Sequence, residues 1–410
     1  MPRLLLPRLL LQVALLAPSL CPAQVTGTFS LDKSTFAPGE PVFLSFTLHN
    51  SGTETEAISS ADPYSFCSGY KIQITHDPAA AVPACFRGYG GSCLSGAITL
   101  APGASHTERI LLNYRNIYQG YATAQVNLPG NYTIDASRDI AYAPSGERIP
   151  FPNQTDHALA HQEFHLRVDD ALELPPGIYT PYVQQLDSKD SQVRREAART
   201  LATVAPPALE PLLLTFASSK YEDLKQFAPL ALFNLSTKAS LAALAQMLVD
   251  NKPGNYEFVS AAEKLGKTHD PAWFPVLLEV ADQHGPMYLS YAAESGGDAA
   301  IPALLARLRS PQSGGPIDAI NALGRTGSRA AVPLLISLLP SNPTNEDARN
   351  TAVSANGALT QLTHLYADQG TNGASIPGWH NRWQNWWLTS GQTAPIYKMD
   401  EDCVANTKLP

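Results

Sequence analysis

Three ionisable side chains alternate along one short stretch, and their spacing could form a metal site. His161, Glu163 and His165 are separated by Gln162 and Phe164. From Phe164 onward the even positions are apolar, so the stretch reads as a strand that turns its odd positions to one outer face. Two imidazoles and a carboxylate on one face suit zinc or copper. The simpler interpretation, which we favour here, is a solvated strand face that holds no metal.

Other signatures of catalysis are missing from the sequence. It contains no Gly-x-Ser-x-Gly nucleophile motif, no Walker loop for phosphate and no Gly-x-Gly-x-x-Gly dinucleotide motif. Cys93 follows a Gly-Gly-Ser run, but no histidine stands at the spacing of a known cysteine protease. The sequence therefore predicts a protein that is not an enzyme and needs no cofactor. A metal-dependent enzyme that uses His161 and His165 is the remote alternative.

The first 23 residues have the pattern of a secretory signal peptide. Arg3 and Arg8 give a positive start, Leu9–Leu16 is apolar, and residues 21–23 resemble a cleavage site. This predicts a soluble protein exported to the periplasm or the extracellular space, with lipidation of Cys21 as the alternative. No later stretch is long and apolar enough to span a bilayer. A net charge of −8 without a basic stripe argues against nucleic acid as a partner.

The remaining cysteines predict disulfide bonds. An even number of cysteines in an exported chain favours pairing, but four cysteines allow three pairings, and the sequence does not choose among them. A free thiol at Cys403 is an open alternative. Zinc is disfavoured because the spacing lacks the paired cysteines of a structural site. The four candidates are Cys67, Cys85, Cys93 and Cys403.

The histidine-bearing stretch closes a region, residues 24–169, that reads as short β-strands. Apolar residues alternate with polar ones from Val42 to Leu48, and Pro-Gly pairs such as Pro38-Gly39 and Pro129-Gly130 predict type II turns. Several short strands of this kind fit a two-sheet β-sandwich. The runs around these Pro-Gly pairs resemble those of immunoglobulin-like modules of exported bacterial proteins. That resemblance implies an immunoglobulin-like β-sandwich. Residues 170–187, which contain the stiff run Pro175-Pro176-Gly177, are interpreted as a linker to the rest of the chain.

Residues 188–366 change to a pattern of paired amphipathic helices. A short apolar motif, in most copies opened by proline, recurs about every thirty residues, which is typical of a helical repeat array. Its copies begin at Pro211, Leu241, Pro275, Pro302 and Pro333. The segment resembles HEAT-repeat arrays of the short, PBS-lyase-like kind, which implies an armadillo-type α-solenoid that acts as a scaffold. Glu294-Ser295 stands where a Leu-Gly pair is usual, and marks either a loose repeat or a polar spot inside the array.

Residues 367–410 contain a tryptophan-rich helix and a tail. The spacing of the indoles places all of them on one helical face. We interpret the helix as a cap that closes the array, with an exposed aromatic platform for sugars or peptides as the alternative. The tryptophans are Trp379, Trp383, Trp386 and Trp387.

The sequence as a whole predicts an exported adaptor with a β-sandwich followed by an α-solenoid. We expect it to bind a protein or peptide partner in a groove lined by the second helix of each pair, with Gln246, Glu279 and Arg307 as candidate contacts. The alternative is a glycan- or cell-wall-binding protein that uses the sandwich or the tryptophan face at Trp379, Trp383 and Trp387. The oligomeric state is left open.

Overall fold

An N-terminal β-sheet region is followed by a helical repeat region, as the sequence predicts. The structure, a computed structural model, describes residues 25–60, 69–77, 96–113, 126, 128–147, 158–253, 255–309, 315–340, 345–367, 376–398 and 407–408. The predicted signal peptide and all four predicted disulfide cysteines lie outside these residues. The domain limits and the immunoglobulin-like description stay predictions.

The strands of the described N-terminal region form three sheets. One has the order β1-β3-β7, from β1 (Val25–Leu31), β3 (Phe43–Asn50) and β7 (Ser105–Leu111). The second has the order β2-β10-β8-β5, from β2 (Thr35–Phe36), β10 (Ala158–Val168), β8 (Gly130–Ile140) and β5 (Tyr70–Asp77). The third has the order β6-β4-β9, from β6 (Gly96–Leu100), β4 (Glu56–Ser60) and β9 (Tyr142–Pro144). The neighbours are antiparallel except β2 and β10, which are parallel.

The first two sheets share one core that contains a buried charged network. Strict alternation along β8 turns Tyr132, Ile134 and Ala136 inward, together with Arg138. Arg138 Nη1 lies 2.7 Å from Glu108 Oε2 and donates to the Tyr70 hydroxyl at 2.8 Å. Burial, the largest effect, raises the pKa of the Tyr70 hydroxyl far above its usual range. A buried arginine with these partners joins the two sheets at one defined register.

The helical region consists of helix pairs. The first helices of the pairs stack on one another, and each second helix follows its first helix in the chain and packs against neighbouring first helices. The first helices are α2 (Ser191–Val204), α5 (Ala228–Leu235), α7 (Tyr256–Gly266), α9 (Met287–Gly296), α11 (Gly315–Arg325) and α13 (Glu346–Thr363). The second helices are α3 (Glu210–Leu214), α6 (Lys238–Asp250), α8 (Phe274–His284), α10 (Ile301–Leu308) and α12 (Ala331–Ser337). Short helices α1 (Thr180–Gln185) and α4 (Glu222–Lys225) and the tryptophan helix α14 (Trp379–Trp386) complete the set. Within the described part of the chain, no helix has both the length and the apolarity to cross a membrane.

Local chemistry explains where these helices begin and end. The Asp190 carboxylate accepts a hydrogen bond from the Gln192 amide at 2.8 Å and caps α2. The sequence predicts a single helix over 221–235, but the structure divides it into α4 and α5. Pro229 has no amide to donate to the Lys225 carbonyl, so α4 ends at Lys225 and a new helix begins at Ala228.

The stretch between the two regions packs against both of them. The Tyr182 ring stacks on Phe43 of β3 at 6.3 Å, and the Tyr179 hydroxyl donates to the Gly39 carbonyl at 2.8 Å. The Arg109 guanidinium of β7 lies over the Phe43 ring, 3.9 Å from its centroid, and pairs with Glu196 of α2 at 3.3 Å. These contacts join the first sheet to the first repeat.

Candidate partner-binding surface

The second helices present one face to solvent while the opposite face is buried against first helices. On α6, Leu244, Met247 and Leu248 are buried, whereas Gln246 is exposed. On α8, Leu277 and Val280 are buried, whereas Glu279 is exposed. The apolar positions follow the helical period, so the exposed face of each helix is continuous. Two of the predicted contacts, Gln246 and Glu279, therefore lie on the accessible faces of α6 and α8.

Each predicted contact residue already has a partner in the structure. Gln246 donates to Asp250 at 2.9 Å, and Gln283 donates to Glu279 at 2.9 Å, so two successive helices carry the same amide–carboxylate arrangement. Arg307 of α10 forms an ion pair with Asp282 of α8. The Arg307 side chain is only 15% exposed, whereas the Asp282 side chain is 55% exposed. Of these two, Asp282 is the more accessible to a partner.

The charge on this face is predominantly acidic. Asp250, Glu279 and Asp282 contribute three carboxylates, and Arg307 neutralises one of them. Val249, which is 76% exposed, adds an apolar contact beside Asp250. We call this face the α6–α8–α10 surface. It suits an extended partner that offers basic groups and amide donors.

Glu294 and Ser295 of α9 are buried inside the array, at 2% and 1% exposure. Glu294 Oε2 lies 3.3 Å from Arg325 Nη1 of the next first helix, and the Ser295 hydroxyl donates to the Asp270 carbonyl at 2.6 Å. This is a polar spot inside the array, so the interpretation as a loose repeat is wrong. The contacts connect successive repeats.

The tryptophans are packed into the protein. Trp379 and Trp383 are 4% and 0% exposed, and Trp383 Nε1 donates to Asn356 of α13 at 2.8 Å. Trp387 is partly exposed. Trp379 and Trp383 are therefore wrong as binding-surface residues, because burial leaves no open ring face for a sugar or peptide. Their role as a cap stays a prediction.

The strand-face histidines form two separate pairs. His161 Nε2 lies 2.7 Å from Asp135 Oδ1, across the sheet on β8. His165 Nε2 lies 3.3 Å from Glu163 Oε1, and its Nδ1 lies 3.2 Å from the Thr133 hydroxyl. Among the described residues, no three histidine, cysteine or acidic side chains are grouped to hold a metal ion. The sequence could not anticipate Asp135 and Thr133 as partners, because they belong to another strand.

The helical repeats are HEAT-like. Residues 180–256 match the family described as HEAT repeats, and residues 317–339 match the PBS lyase HEAT-like repeat. This confirms the resemblance of the helical region that its recurring motif suggested. No curated protein gives a significant match to the sequence.

Similar solved structures are distant. An engineered protein shares 20% identity, with 45% of this chain and 95% of that chain covered at a TM-score of 0.28. The complex of CpcE and CpcF of phycocyanin lyase from Nostoc sp. PCC7120 shares 18% identity, covering 61% and 96% at a TM-score of 0.32. A Salmonella alpha-2-macroglobulin shares 12% identity, covering 87% and 27% at a TM-score of 0.19.

The match to a PBS lyase HEAT-like repeat contradicts the prediction that the chain is not an enzyme. That prediction relied on missing motifs. A repeat surface does not need the compact motifs of loop-based active sites. The absence of such motifs therefore does not exclude an enzyme.

Proposed function

We propose that the chain binds a protein or peptide partner through the α6–α8–α10 surface of its HEAT-like repeats. The observation that carries this proposal is a set of paired polar side chains on three successive second helices. The pairs are Gln246 with Asp250, Glu279 with Gln283, and Arg307 with Asp282, and in the last pair Asp282 is the exposed member. Stacked repeats build extended surfaces of this kind, where many modest contacts add up to specific binding.

The charge of the surface defines the kind of partner. Three carboxylates and one compensating arginine favour a segment with lysine or arginine side chains, because like charges across an interface are costly. Arg307 fixes Asp282 between two helices, so the carboxylate is held in place before a partner arrives. Residues 317–339 match a PBS lyase HEAT-like repeat, so the proposal covers a partner that is acted on as well as one that is held.

We further propose, from the predicted signal peptide, that this partner lies outside the cytoplasm, in the periplasm or the extracellular space. A fusion of residues 1–40 to alkaline phosphatase tests that part separately. Phosphatase activity in cells would support export, and inactive cytoplasmic enzyme would contradict it.

A displayed random-peptide library, selected on the full chain, tests the surface. Enriched peptides should be basic, and they should lose binding to the double variant Glu279→Lys with Asp282→Lys. Glu173→Lys is the matched control, because Glu173 is an exposed carboxylate before the first repeat. Equal binding to the double variant and to the control would refute the assignment of the surface.

A further inference from the structure

A separate cavity of about 430 Å³ opens on the outer face of the sheet β2-β10-β8-β5. Its polar lining comes from all four strands: Thr35, Arg167, His165, Asn131, Thr133 and Asp77. Its volume is within the range of small-ligand sites. It lies in the N-terminal region and shares no residue with the α6–α8–α10 surface.

The strand register places four of these residues in one row across the sheet. Arg167 is opposite Thr35 on one side and Asn131 on the other, and Asn131 is opposite Asp77. Neighbouring strands are about 4.8 Å apart, and Arg167 and Asp77 are separated by two such spacings. Their backbones therefore lie roughly 10 Å from each other. His165 and Thr133 form the adjacent row. The row therefore carries a cation near one end, a carboxylate at the other and an amide between them.

The charged ends of the row are weakly engaged by the protein. The Arg167 side chain is 58% exposed and approaches Asp169 at 3.5 Å, a loose surface contact. Among the described residues, the Asp77 and Asn131 side chains make no hydrogen bond or ion pair. Arginine binds carboxylates in a forked geometry, and a carboxylate accepts from an ammonium group. A polyanion would be repelled by Asp77, and a neutral sugar would use neither charge.

We propose that this cavity binds a short zwitterionic peptide. An extended tripeptide spans about 10 Å, which matches the distance between the charged ends of the row. Its terminal carboxylate would pair with Arg167 and its ammonium group with Asp77. The Asn131 amide and the Thr133 hydroxyl would bond its backbone.

Calorimetric titration of the full chain with trialanine tests this. Trialanine should bind, while N-acetyl-trialanine and trialanine amide, which each lack one terminal charge, should bind at least about tenfold more weakly. Arg167→Gln and Asp77→Asn should each cause a similar loss, with circular dichroism confirming that both variants are folded. Lys71→Gln is the matched control, because Lys71 lies on the same sheet and pairs with Asp139 at 3.3 Å.

Several results would overturn the proposal. These are no binding of trialanine, equal binding of the blocked peptides, binding unchanged by both variants, or binding of galacturonate in place of trialanine. The site is independent of the repeat surface, so the double variant Glu279→Lys with Asp282→Lys should retain trialanine binding.

Discussion

Glu294 and Arg325 form a buried ion pair, and we expect loss of Arg325 to destabilise the protein more than loss of Glu294. Glu294 is 2% exposed, and Arg325 holds it at 3.3 Å with a side chain that is 23% exposed. Removing one partner of a buried pair costs about 3–5 kcal/mol, because a charge remains without compensation. Solvent reaches Arg325, so we expect the lower end, about 3 kcal/mol, for Arg325→Ala.

Glu294→Leu should cost much less. Leucine has a similar volume and needs no counter-ion, while the partly exposed Arg325 can turn towards water. Replacing both members of a buried ion pair by apolar residues is often neutral or stabilising, which applies to the double variant with Arg325→Ala. We therefore expect Glu294→Leu to change the free energy of unfolding by no more than about 1 kcal/mol, and to rescue Arg325→Ala in the double variant.

Urea titration followed by far-ultraviolet circular dichroism measures these changes, because the helices dominate that signal. Arg309→Ala is the control, an exposed arginine just after α10. The reasoning fails if Arg325→Ala unfolds at the same urea concentration as Arg309→Ala, or if Glu294→Leu is the more damaging of the two substitutions.

Three further predictions concern single residues in the helical and N-terminal regions. Arg329→Ala removes hydrogen bonds to the carbonyls of Gly391, Gln392 and Ala394, so limited proteolysis should cut after residue 391 sooner while helix content is unchanged. Trp383→Ala empties a fully buried site and should lower the free energy of unfolding by about 3–5 kcal/mol in urea titration. Burial, reinforced by Glu54 and Glu147, raises the pKa of Glu56, so its ionised form destabilises the fold. Glu56→Gln should therefore stabilise the protein above pH 4.5 and have no effect well below it, as thermal melts across pH would show.

The repeat region was the most predictable part of the fold. Periodic leucine and alanine positions, with proline at helix starts, locate most helix pairs to within a few residues, because each amphipathic face is encoded locally. The prediction failed where one residue overrode the pattern, as at Pro229, which divides the helix predicted over 221–235. Alternation also locates strands, but it predicts only Tyr132–Ala136 for β8, which runs from Gly130 to Ile140.

The candidate sites were less predictable, because their geometry depends on pairing between distant segments. Asp282 and Arg307 lie on different helices, and neither residue type identifies the other as its partner. The row of Arg167, Asn131 and Asp77 depends on the register of three strands, which alternation alone does not set. His161 and His165 share a face as predicted, but cross-strand neighbours separate them into different pairs.

The first helices hold the array together, which leaves the outer faces of the second helices available to bind the proposed partner. First helices approach closely through small residues: a Cβ added to Gly324 would lie 2.7 Å from Ala358, and one added to Gly266 would lie 2.9 Å from the Tyr291 carbonyl oxygen. The stability of the array therefore depends on the interface between successive first helices, where an added side chain would not fit. The outer face of each second helix lies outside that interface, so its polar residues can vary with the partner at little cost to stability. Glu294 places a charge among these packed first helices, where it pairs with Arg325 from the next repeat.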